Sequence, residues 1–92
     1  MAEESIKTIL GVKLLDFRRD GDWYKFRVKG GDYFYEAISE LKDRIAFKDR
    51  RWVEEKKQWQ VLITQENEMA LSRIFENGAS CIETVKSQLP LF

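Results

Sequence analysis

The chain has 92 residues, of which 43% are hydrophobic, 13% aromatic and 35% charged, and its sixteen Lys/Arg balance sixteen Asp/Glu. This length suits one domain, because two cores would each bury too little apolar surface. The aromatic content without charge imbalance excludes a disordered chain. There is no histidine and a single cysteine, Cys81. The first absence removes the side chain best suited to proton transfer at neutral pH and the commonest transition-metal ligand. The second leaves no internal disulfide and too few soft ligands for zinc. The expectation is a domain with no catalytic residues, metal or cofactor, working in a reducing cytoplasm. The acidic start, MAEES, leads into no long apolar stretch, so neither a signal peptide nor a membrane partner is expected.

Residues 12–28 read as a β-hairpin with Asp20-Gly21 as its two-residue turn. That register pairs Phe17 with Tyr24 and Leu15 with Phe26, and puts Val28 on the same, buried face. The other face then carries Leu14, Asp16, Arg18, Trp23, Lys25 and Arg27, with Asp16 opposite Lys25. Gly30-Gly31 ends the strand, and Asp32 is placed to cap a helix over residues 33–44. Its stripe of Phe34, Ala37, Ile38, Leu41 and Ile45 has helical spacing.

A second hairpin is predicted from residues 46–53, a charged turn at 54–57 and residues 58–63. Its register sets Trp52 opposite Trp59 as a mostly buried pair. Thr64 or Gln65 opens a second helix with Ala70, Leu71, Ile74 and Phe75 as its apolar stripe, and Asn77-Gly78 reads as its stop. Residues 80–85 fit either a short strand or a helical turn. The predicted fold is α+β, in the order ββαββα: an antiparallel four-stranded sheet with two helices on one face. The folded domain is expected over 1–85 and a binding tail over 86–92.

The charges are locally uneven. Residues 41–57 hold seven Lys/Arg against four Asp/Glu, the only basic excess in the chain. Lys48, Arg50, Arg51, Lys56 and Lys57 fall on the second hairpin, and can meet phosphates with salt-sensitive affinity and no sequence choice. On the first hairpin Trp23 stands among Arg18, Lys25 and Arg27, where an exposed ring can stack on an unpaired base.

Two stretches resemble known families. Leu41 to Val61, with Ile45, Arg51-Trp52, a charged turn at Glu54 to Lys57 and then Trp59, resembles the core of the HARP-type domain found beside annealing helicases. The resemblance implies a hairpin that contacts single-stranded or forked DNA. It departs from the family's pattern at Val53, where an Asp usually follows the Trp. Gln88-Leu89-Pro90-Leu91-Phe92 resembles the peptide by which bacterial replication and repair proteins dock on the sliding clamp. That resemblance assigns Gln88, Leu89, Leu91 and Phe92 to the clamp's cleft, the glutamine hydrogen-bonding at a rim while the apolar groups fill it.

Asp49 with Glu55-Lys56-Lys57 also resembles the Asp…Glu-x-Lys pattern of metal-dependent nucleases. A hairpin turn has no walls to exclude water around Mg²⁺, so no catalytic role is assigned. Cys81 has no histidine to activate it and reads as a small buried thiol. The expected function is a non-catalytic accessory role in bacterial or phage DNA replication or repair. The alternative is a protein–protein adaptor or regulator with no nucleic-acid role, in which Trp23 and the tail contact a protein partner or a second copy of the chain. Oligomeric state is not legible.

Overall fold

The computed structural model describes residues 11–87. Strands β1 (Leu14–Asp20) and β2 (Trp23–Val28) form the first hairpin, and helix α1 (Phe34–Arg44) follows. Strands β3 (Arg50–Val53) and β4 (Gln58–Leu62) form the second hairpin, and helices α2 (Gln65–Ile74) and α3 (Gly78–Ser87) come after it. All strand pairs are antiparallel, in the order β1-β2-β4-β3. The α+β class and the ββαββα order therefore hold, with a third helix added.

The core lies between the sheet and the helices. Tyr24, Phe26, Trp59 and Val61 point to it from the two central strands, and Leu41, Leu71, Ile74, Phe75 and Ile82 meet them from the helices. Tyr24 is 1% exposed, yet its hydroxyl donates to Glu68 Oε2 at 2.7 Å. Glu68 in turn accepts from Lys86 at 3.1 Å, which ties α3 to α2. A buried phenol needs such a partner. Burial first, and then the neighbouring Glu68 carboxylate, push the Tyr24 hydroxyl well above its ordinary pKa.

The first hairpin departs from its expected register. Its turn residues are Gly21-Asp22, not Asp20-Gly21: Asp20 pairs with Trp23, and Gly21 takes the positive φ of 64°. A bulge then interrupts β1 between Leu15 and Arg18, with Asp16 at φ 54°. Because side chains alternate, one extra residue reverses every face beyond it. Leu14 is consequently buried at 3% exposure, and Leu15 is the exposed one at 37%. Phe17, on the near side of the bulge, keeps its place 4.8 Å from Tyr24 and 5.7 Å from Phe26. Asp16 does not face Lys25. It pairs with Arg27 at 3.1 Å, while Lys25 pairs with Asp20 at 2.6 Å.

Helix α1 starts one residue later than expected, without a side-chain cap from Asp32. Of the two openings the sequence allows, the helix α2 starts at Gln65, with Thr64 capping it by accepting from the Asn67 amide at 3.0 Å. Asn77-Gly78 is a corner between two helices and not a final stop: residues 80–85 belong to α3, and Lys86 and Ser87 close that helix and are not the tail's lead. Asn77 also finishes the outer edge of β1. Its Oδ1 accepts from the Leu14 amide at 2.8 Å and its Nδ2 donates to the Leu14 carbonyl at 3.1 Å, beside a Glu76 amide bond to Val12 O at 2.9 Å.

Gly78 is buried, and a Cβ there would lie 2.2 Å from the Leu71 carbonyl oxygen. The close approach of α3 to α2 requires glycine for lack of space, not for its backbone freedom. Helix propensity alone would make Gly78→Ala stabilising, by less than about 1 kcal/mol at this first position of the helix. The backbone clash reverses the sign, and a net loss of about 1–3 kcal/mol is expected in urea denaturation.

Candidate functional site

The second hairpin hangs on two side chains. Asn67, 4% exposed, donates from Nδ2 to the Leu62 carbonyl at 3.0 Å and to Asp49 Oδ2 at 3.3 Å, holding the entry and exit of the hairpin to α2. Arg50 donates from Nε to the Ile45 carbonyl at 3.0 Å and carries its guanidinium over the Phe47 ring at 5.3 Å. Residues 47–49 are thereby shaped as a short 3-10 turn, where the sequence predicts strand. Hydrogen bonds from Lys48 and then Asn67 hold the Asp49 carboxyl below its usual pKa.

Trp52 faces Trp59 across the ladder, ring centroids 5.1 Å apart, as expected. Their burial is unequal. Trp59 is 6% exposed on an inner strand, but Trp52 is 44% exposed because β3 ends the sheet and nothing among the described strands flanks it. Its indole N–H donates to Glu54 Oε1 at 2.7 Å, and Glu54 Oε2 accepts from Lys57 at 2.7 Å. The Lys57 and Trp52 hydrogen bonds keep the Glu54 carboxyl ionised below its ordinary range.

Between α1 and β3 runs a groove of about 820 Å³. Five aromatic rings line it: Phe34 and Tyr35 from α1, Phe47 from the turn, and the Trp52–Trp59 pair. Lys42, Lys48 and Arg50 stand along it, and no carboxylate contributes to the lining. Phe47 is 80% exposed and Tyr35 81%, so large apolar surface faces water beside cations. Such patches mark binding sites.

The structure divides the sequence-predicted basic residues. Lys48 and Arg50 line the groove, and Lys56 and Lys57 sit at the hairpin turn. Arg51 borders the groove but carries its guanidinium to the opposite sheet face, 3.9 Å from the Trp23 ring centroid. Trp23, Arg18 and Arg27 lie on that other face, with Arg18 opposite Lys25. Stacking on that face of Trp23 requires Arg51 to move. Gln88, Leu89, Leu91 and Phe92 lie outside the described residues.

Tyr35, Phe47 and Lys42 are groove residues that the sequence alone does not single out. Tyr35, Ile38 and Lys42 share one helix face at i, i+3 and i+7, so the signal was present. Phe47 carries none, because the sequence pattern places it within a strand and the structure places it in a 3-10 turn. No His/Cys/Asp/Glu cluster with metal-holding geometry occurs among the described residues. No helix among them is long and apolar enough to cross a membrane.

The two arginines should separate in stability measurements. Arg50→Ala loses a part-buried hydrogen bond and its packing on Phe47, a cost of about 1–2 kcal/mol. Arg51→Ala removes an exposed contact and should cost less than about 1 kcal/mol. Chemical denaturation of both variants checks the order; equal losses would contradict it. Compared with family models, with curated proteins and with solved structures, the chain matches none.

Proposed function

We propose that this chain is a non-catalytic accessory protein of bacterial or phage DNA replication or repair, working in the cytoplasm. It contacts single-stranded or forked DNA through the second hairpin and docks on a sliding clamp through Gln88, Leu89, Leu91 and Phe92. The observation that carries the DNA part is the gathering of Lys48, Arg50 and five aromatic rings into one groove with no lining carboxylate. Cations meet phosphates, and rings supply apolar contact that phosphates alone would not use.

The clamp part is supported by the complete match of the last five residues to the docking peptide. The two parts suit each other. A chain of zero net charge gains little long-range attraction to DNA, and tethering raises its local concentration there.

Truncation after Ser87 should abolish retention on immobilised bacterial clamp and leave the melting temperature nearly unchanged. A synthetic peptide ending in QLPLF should compete with the full chain. Binding to a forked oligonucleotide should weaken with salt, and the double variant Lys48→Ala/Lys56→Ala should flatten the slope of log K against log salt by about 1.4. Absence of DNA binding at low salt rules out the DNA part, and clamp retention by the truncated chain rules out the tail.

A further inference from the structure

The groove's lining alternates in kind. It holds flat rings and positive charges, with Ile38 as its single aliphatic side chain. A ligand that satisfies it must present aromatic surface and negative charge in similar proportion along its length. A single strand of nucleic acid does so in every residue, one phosphate and one flat base at a time. A peptide acidic enough to meet Lys42, Lys48 and Arg50 keeps few apolar groups to cover the rings. A duplex has its bases stacked away and presents phosphates only.

The rings are also held as platforms. Trp52 is fixed on one side by Trp59 at 5.1 Å and at its edge by the Glu54 hydrogen bond, leaving its outer surface open. Phe34 meets Tyr35 edge-on at 5.3 Å. Phe47 is held under the Arg50 guanidinium, whose own position is set by the Ile45 carbonyl. Rings already fixed lose little rotational freedom when a base stacks on them.

We infer that the groove between α1 and β3 takes unpaired nucleobases, stacked on Trp52, Phe47 and Tyr35, while Lys42, Lys48 and Arg50 hold the flanking phosphates. This rests on the DNA-contact reading and adds to it that bases, and not only the sugar–phosphate backbone, are bound. Recognition is then indifferent to sequence, because every base has a face to stack, and it discriminates against paired strands.

The test compares three fluorescent probes at low salt by anisotropy, using the full chain. These are an oligothymidylate, an abasic deoxyribose-phosphate strand of equal length, and a blunt duplex. The oligothymidylate should bind at least about tenfold tighter than either of the others, as the loss of one or more base stacks implies. Tyr35→Ala and Phe47→Ala, both at highly exposed positions that leave the core intact, should each narrow the gap between thymidylate and abasic strands without changing abasic affinity. Trp52→Ala should narrow it further.

Equal binding of thymidylate and abasic strands would overturn the stacking inference while leaving DNA contact in place. A gap that survives the Tyr35 and Phe47 substitutions would overturn the placement in this groove. A phosphate-free peptide of alternating Asp and Phe that displaces the oligonucleotide at equal concentration would overturn it too. No binding of any probe would remove the DNA-contact reading itself, and this inference with it.

Discussion

The ladder between β2 and β4 joins two hairpins, each of which would be marginal alone. Tyr24 faces Val61 and Phe26 faces Trp59 across it, and all four side chains are buried. They form the floor on which the helices rest: Phe75 meets Phe26 edge-on at 6.3 Å, and α2 reaches the Tyr24 hydroxyl through Glu68. Because β4 occupies the centre, β3 is left at the margin. Its Trp52 has one neighbour to pack on, and α1 buries only Ala37 and Leu41 fully, with Phe34 and Ile38 half-covered. The groove is the space these incomplete contacts enclose. The stability of the centre and the openness of the margin come from one strand order.

Charge follows the same division. Four surface acids are paired close at hand: Asp20 with Lys25, Asp16 with Arg27, Glu40 with Arg44 and Glu54 with Lys57. Surface pairs of this kind contribute little to folding. At the groove itself Glu54 is held by Trp52 and Lys57 and Asp49 by Lys48, while Lys42 and Arg50 add positive charge to a lining that has no carboxylate of its own.

The larger features were legible from sequence because they follow period and turn chemistry. Ala70, Leu71, Ile74 and Phe75 are all buried as expected, Phe75 from the extended residue that ends α2, and the Trp52–Trp59 register holds. What failed was what alternation cannot carry. The bulge at Asp16 has no periodic signature, yet it decides whether Leu14 or Leu15 enters the core. Gly78 looked like a helix stop because Asn-Gly commonly is one, whereas its burial against the Leu71 carbonyl depends on a helix packed there. Of the groove, the cations of the hairpin were visible as a charge excess. Phe47 and Tyr35 become part of it only once α1 is laid beside β3, a relation between elements that no local window contains.

The Asn77 side chain occupies the Leu14 amide and carbonyl in the way a further strand would. A strand arriving from another molecule therefore finds that donor and acceptor already used, and next to them a bulge that twists the backbone out of line. β1 carries Leu14, Leu15 and Phe17 close together, but the left-handed Asp16 between them and the charges of Arg18, Arg19 and Asp20 after them break up the continuous apolar run that a cross-β fibre needs. One amide group at a helix corner thus closes the Leu14 end of this edge, and a carboxylate in its place would still accept from the Leu14 amide but leave the Leu14 carbonyl without its donor.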